Sequence, residues 1–259
     1  MGNVFSSFLD RPDRPAPVWA RVVTSVLIVL LASGICWTVL FSAGRRWEAI
    51  WDYRDAYLQG WLVTVLIASA SLVLSVAFGL VAALARRSSL LPIRYLAAFY
   101  IEGVRCLPFL VLILLLFYGV LGNVPVDRFV FGVFVLALFS GAYLAEIFRS
   151  GIESVGRSQW ESARAIGLTT FQTYRYVILP QALRRVLPPM TGQFASVIKD
   201  SSLLSIIGLT EFTNRAQGVF SATYAGLESY LPLGLGYLAL TIPILLITRS
   251  LHKKLAFDT

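Results

Sequence analysis

Six side chains able to carry charge or to hydrogen-bond a solute interrupt two otherwise apolar stretches. Glu102 and Arg105 sit in the first, and Gln193, Ser196, Lys199 and Asp200 in the second. Ionisable groups inside long apolar runs are costly to place and mark internal pairs or solute paths. Glu102 and Arg105 are three residues apart, hence neighbours on a helix, and Pro108 continues their face. Two readings stay open for them: an ion pair beside a proline kink, or the lining of a gate or substrate passage. At about 100° per residue, Gln193, Ser196 and Asp200 fall on one stripe, while Lys199 points away from it. Facing a water-filled path, such a stripe suits a zwitterionic solute, with Lys199 or Arg105 available to its carboxylate.

Covalent and metal chemistry find little support. The single histidine, His252, lies in a basic tail without a cluster of acids or thiols around it, so nucleophilic catalysis lacks its usual base. The two cysteines, Cys36 and Cys106, read as small buried apolar side chains and not as a disulfide or metal framework. No G-x-x-x-x-G-K-[ST] loop occurs, so phosphates have no cradle here. The expectation is no catalytic residue, no metal and no cofactor bound by this chain.

The elements that must position these residues belong in lipid. Of 259 residues, 57% are hydrophobic and 14% charged, against about 25% charged in soluble domains. Uncharged runs at Val22–Ser42, Gly60–Ala85, Leu107–Val126 and Phe129–Ala145 approach or exceed the roughly 20 residues a helix needs to cross a bilayer. With segments near Leu187–Leu209 and Tyr230–Thr248 they predict six spanning helices. The first, Val18–Leu40, begins too late and lacks a clear cleavage site for a signal peptide. A third span from Ile93 to Val120 is interrupted by Glu102, Arg105 and Pro108. The net charge of +8 is topological. With both termini cytoplasmic, Arg and Lys gather inside. Only Arg45, Arg46, Arg54, Arg128 and Arg215 fall outside, as the positive-inside rule expects, and nucleic acid is not implied.

The longest inside segment, 150–186, carries local helix signals. Ser158-Gln159-Trp160-Glu161 has the form of a capping box, and Thr169-Thr170-Phe171-Gln172 offers another. Gly167 between them suits a left-handed helix end, and Pro180 is expected to limit the second helix. The predicted product is a helix–Gly–helix element that displays Trp160, Leu168, Phe171 and Tyr174 as an apolar knob for a partner groove.

Glu161-Ser162-Ala163, Gly167 and Val177-Ile178-Leu179-Pro180 follow the spacing of the EAA loop of ABC importer permeases. The flanks Gln181-Ala182-Leu183-Arg184, Leu187-Pro188-Pro189 and Lys199-Asp200-Ser201-Ser202-Leu203 resemble the polar amino acid uptake branch, the histidine, arginine, glutamine and glutamate permeases. Gly60-Trp61-Leu62-Val63-Thr64-Val65 and Arg105–Pro108 fall where that branch has its G-x-x-x-T-L and R-G-T-P sequences. Ser162 replaces the middle Ala, and Arg105-Cys106-Leu107-Pro108 departs from R-G-T-P.

The resemblance covers about residues 60–250 and implies an all-α integral membrane protein. It would comprise a five-helix type I ABC importer core, one extra N-terminal helix and a cytoplasmic coupling helix pair. The implied organisation is a cytoplasmic tail 1–17, the extra helix and outside loop 18–59, the transporter domain 60–250 and a cytoplasmic tail 251–259. Docking to an ATP-binding cassette ATPase would involve Trp160, Glu161, Ser162, Ala163, Gly167, Leu168, Phe171, Leu179 and Pro180, although Glu161 equally fits a helix cap alone. ATP and Mg²⁺ would be bound by that partner. A solute-binding protein and a second permease subunit, identical or homologous, would complete a complex in the bacterial inner membrane. Lys199-Asp200-Ser201 reads equally as a general family feature. An ion-coupled secondary transporter of a small polar solute is the alternative, favoured by inverted repeats and broken helices, but the two halves show no symmetry.

Overall fold

The computed structural model describes residues 18–41, 47–122 and 124–256, and every regular element among them is helical. The expected tail 1–17 lies outside the described residues, as do residues 257–259 and the side chains of Cys36 and His252. The chain divides at Glu48–Ala49 into two units. The first holds α1 (Val18–Phe41), whose Val22, Leu27, Leu31 and Trp37 are exposed. So continuous an apolar surface belongs in lipid.

The division falls within the short α2 (Trp47–Trp51), and the second unit continues with α3 (Arg54–Ala85), which begins about two turns before the expected Gly60. α4 (Leu91–Cys106) has Pro92 in its first turn, where a missing N–H costs nothing. It ends at Leu107, held extended (φ −98°, ψ 139°) by the following Pro108. α5 (Phe109–Leu114) then starts and runs into a π-helical turn, Leu115–Leu121. The expected third span is thus broken, its two pieces set at 113°. Cys106, at the break, is exposed and not the buried side chain expected.

α6 (Arg128–Glu153) is capped by Asp127, whose carboxylate accepts from Val130 N at 2.9 Å. Next come α7 (Arg157–Ala165), the single turn α8 (Thr170–Gln172), a π-helical turn Thr173–Ile178, and α9 (Leu179–Asp200). A 3₁₀ stretch, Ser201–Ile207, α10 (Phe212–Thr223) and α11 (Gly226–Ala256) follow.

Among the described residues, three helices are long and apolar enough to cross a bilayer: Arg54–Ala85, Arg128–Glu153 and Gly226–Thr248. The broken α4–α5 pair makes a fourth if counted as one span. α9 does not pass that test. Its polar stripe and Pro188–Pro189 dilute its hydropathy, yet it packs against α11 and α6 inside the bundle.

α3 and α6 form the spine. A Cβ on Gly79 would fall 2.8 Å from Leu144 Cβ, and one on Gly141 2.9 Å from Phe78 Cβ. Small residues let the two backbones approach, the usual route to tight helix packing in lipid. Around this crossing lies a core of Ile67, Ile113, Val135, Leu136, Val197 and Leu204. Phe109 and Phe139 tilt together at 4.6 Å and Phe117 meets Phe131 at 5.1 Å, so α5 is anchored along α6 beyond the break.

Candidate functional site

The segment between α6 and α9 is built from turn signals upward. α7 starts on Gly156, whose carbonyl accepts from Gln159 N at 3.0 Å. Ser158 therefore sits inside the first turn and makes no cap, so the expected Ser158–Glu161 box is not formed. Gly156 takes the N-cap position two residues earlier and leaves Ser158 nothing to close. The other end matches expectation. Gly167 is left-handed at φ +80°. Its N–H reaches Arg164 O at 2.9 Å, and Leu168 N reaches Ala163 O at 3.1 Å. Those two bonds are the Schellman closure of a helix. Thr169 then forms the predicted reciprocal box: Gln172 N donates to Thr169 Oγ1 at 3.3 Å and Thr169 N to Gln172 Oε1 at 2.9 Å.

Pro180 does not end the second helix. α8, the π turn and α9 run on as continuous helix from Thr170 to Asp200, with Pro180 in the first turn of α9. A π turn immediately upstream changes the carbonyl spacing, so the proline ring meets no i−4 clash there. The short element is therefore joined by continuous helix, through the π turn and Pro188–Pro189, to the residues Gln193, Ser196, Lys199 and Asp200.

Its apolar residues divide differently from expectation. Trp160 and Tyr174 are half-buried, packed edge to face at 4.9 Å over Val155, Ile178 and Ala182. Such a pair contributes about 0.5–1.5 kcal/mol beyond its area. Ala163 is also buried and Leu168 half-buried. The large side chains left most open are Phe171 and Ile166, each 77% exposed, and Tyr176, beside exposed Glu161, Ser162, Leu179 and Pro180. Ile166 was not foreseen. Its place directly before the helix-ending Gly167 was the available signal. Gln181 Nε2 donates to Gln159 Oε1 at 3.2 Å, Arg185 donates to Ser154 O, and Arg87 donates to Tyr174 at 3.0 Å. The element is bolted to α6 and to the α3–α4 turn.

The charges within the apolar runs find other partners than expected. Glu102 pairs with Arg86 at 2.7 Å, not with Arg105. Arg105 reaches Glu146 at 3.7 Å and lies 5.6 Å from the Tyr143 ring. Arg149 binds both Glu146 and Glu153. α4 presents Glu102 and Arg105 to two different neighbours, the end of α3 and α6, and those competitors win. On α9, Gln193, Ser196 and Asp200 are half-buried on one stripe and Lys199 is exposed, the separation that the 100° step predicts.

The most buried carboxylate was missed. Glu211, 0% exposed, precedes α10 and accepts from Asn214 N at 2.7 Å and Thr213 N at 2.9 Å. Tyr237 of α11 donates at 3.2 Å and Thr64 of α3 at 3.4 Å, while Phe212 N donates to Thr64 Oγ1 at 3.1 Å. Burial raises the carboxyl above its ordinary pKa, and the bonds from Thr213 and Asn214 oppose that. Glu is not among the favoured N-cap residues, so no cap signal in the sequence pointed to this position.

Residues 75–257 match the binding-protein-dependent transport system inner membrane component family. The chain belongs to that family. It is 32% identical over 207 residues to the probable glutamine ABC transporter permease protein GlnM of Bacillus subtilis, covering 80% of this chain and 96% of that protein. It is likewise 32% identical over 212 residues to the glutamine transport system permease protein GlnP of Escherichia coli K12, covering 81% and 97%. Among solved structures, one described as an amino acid ABC transporter with histidines superposes with a TM-score of 0.76 at 32% identity, covering 81% of this chain and 98% of that one. The inward-facing MetNI methionine transporter, at 17% identity and a TM-score of 0.62, shares the fold. The expectation of an ABC importer permease subunit with a type I fold is borne out.

Proposed function

We propose that this chain carries a polar amino acid across the bacterial inner membrane, driven by ATP that a separate ATPase subunit hydrolyses. The observation that carries the reading is the unbroken helix from the Thr169 cap to Asp200. It joins exposed Phe171, with exposed Ile166 across the Gly167 turn from it, to the polar stripe Gln193–Ser196–Asp200. A push at the knob reaches the stripe along this helix, past the π turn Thr173–Ile178 and the internal Pro188–Pro189, and an alternating-access step requires such a mechanical link. In this reading α7 and the turn after it form the coupling pair. Glu161, Ser162, Ile166, Gly167, Phe171 and Leu179 seat the ATPase, while Trp160, Ala163 and Leu168 hold the element's shape.

Six spans are counted by adding α1 and α9 to α3, the α4–α5 pair, α6 and α11, with both termini in the cytoplasm. A second permease subunit encloses the pathway, and a solute-binding protein delivers cargo from outside. The glutamine systems among the relatives support an amino acid with a polar side chain. Co-purification of an ATPase subunit, then ATP-dependent uptake of a panel of amino acids into vesicles, tests this. Uptake driven by an ion gradient without ATP would sink it.

A further inference from the structure

A groove of ≈ 600 Å³ separates the second half of α3 from the first half of α4, within the 300–1,000 Å³ range of ligand sites. Ala77, Val81 and Ala85 line one wall, and Ile93, Leu96 and Ala97 the other. The one lining hydroxyl, on Tyr100, is committed to the Leu138 carbonyl at 2.7 Å. Nothing in the groove can hydrogen-bond a polar solute.

Its end is different. Ala85 is followed directly by Arg86 and Arg87. Ile93 is followed by Arg94, which lies one turn from Ala97 on the same edge of α4. Glu102 neutralises Arg86. Arg87 and Arg94 are exposed, and neither forms an ion pair among the described residues. Arg87 is steadied by its bond to Tyr174 at 3.0 Å, and Arg94 lies 5.8 Å from the Tyr95 ring. Two exposed arginines thus stand in the chain next to the lining residues Ala85 and Ile93, at the same end of the apolar slot. A helix of another chain would fill the slot but would leave both charges unanswered. An amphiphile with an apolar chain and an anionic head answers both, because guanidinium binds phosphate oxygens in paired, charge-assisted hydrogen bonds. Basic pockets between membrane helices collect such head groups.

We propose that one anionic phospholipid of the surrounding membrane binds here, an acyl chain in the α3–α4 groove and its phosphate between Arg87 and Arg94. The site goes beyond the transport reading and needs only that α3 and α4 lie in the bilayer.

The test strips lipid from the detergent-solubilised full chain and titrates it with phosphatidylglycerol or phosphatidylcholine, counting retained lipid by native mass spectrometry. One phosphatidylglycerol per chain is expected, retained about tenfold better than phosphatidylcholine. The double change Arg87→Gln, Arg94→Gln should bring the two lipids level, and the single Arg94→Gln on the exposed rim should lower the ratio if the double variant does not fold. Arg87→Lys with Arg94→Lys should keep part of the preference. Ala77→Trp should reduce retention of both lipids by filling the slot. Equal retention by the unaltered chain overturns the proposal, as does a preference that survives the Gln changes. It also fails if Ala77→Trp abolishes self-association and leaves lipid retention as before, since a second copy would then own the groove.

Discussion

The element around Gly167 and the junction around Glu211 break opposite rules. The first leaves Phe171 and Ile166 in the open, each 77% exposed, although buried positions lie beside them. The second buries a carboxylate completely. In the first, everything that could be satisfied internally has been. Both helix ends facing the turn are closed, and Trp160 is tucked onto Tyr174. Its open apolar side chains are therefore surplus to its own folding, which is the mark of a surface meant for another molecule. In the second, four donors from three parts of the fold converge on one side chain, and none is left over for a ligand. It ties α3, α10 and α11 together. One region looks outward and the other inward, and mutations should separate them cleanly.

The largest effect on stability is expected at the inward site. Glu211→Ala strands two backbone N–H groups at the start of α10 and two hydroxyls, and should lower stability by about 3 kcal/mol in thermal unfolding of the detergent-solubilised chain. Glu211→Gln keeps an acceptor, and burial already favours an uncharged carboxyl there, so about 1 kcal/mol is expected. Equal losses for both would mean that charge, not hydrogen bonding, holds the junction.

At the outward site the signs reverse. Ile166→Ala with Phe171→Ala should leave the unfolding temperature unchanged and weaken ATPase binding by about 2 kcal/mol, roughly thirtyfold. Gly167→Asp forces a side chain into φ +80° and should cost about 1 kcal/mol. ATP hydrolysis should continue while uptake falls, and normal uptake would show that the left-handed turn is not needed for coupling. Thr169→Ala removes one half of a capping box and should cost about 1 kcal/mol or less, read in the same unfolding experiment.

Local signals in the sequence were reliable where the chain settles matters within a few residues. The Gly167 turn and the Thr169 box depend on neighbours three or four positions away, and both appear as expected. Ser158 failed for an equally local reason, since Gly156 offered an earlier helix start. Trp160 failed for a distant one: Ile178 and Ala182 bury it, and nothing near residue 160 announces them. The same holds for Glu102, whose partner Arg86 reaches it across the α3–α4 turn in place of the helical neighbour Arg105. Pro180 misled because its usual effect assumes regular α geometry upstream, and a π turn stands there. Glu211 was hidden by hydropathy, which assigns any charged stretch between spans to a loop. Glu is not a favoured N-cap residue, and its four-fold satisfaction by Thr64, Thr213, Asn214 and Tyr237 needs the folded bundle.

The central claim is that the knob at the Gly167 turn, Ile166 and Phe171, drives the polar stripe through the helix 170–200, with its π turn and Pro188–Pro189. The most direct test reconstitutes the complex with its ATPase and measures ATP hydrolysis and amino acid uptake in the same vesicles. Hydrolysis and uptake should fall together in the Ile166→Ala, Phe171→Ala variant as the ATPase is lost, with the permease still folded. In Gly167→Asp, hydrolysis should persist while uptake fails. Unchanged uptake in both variants would contradict the account.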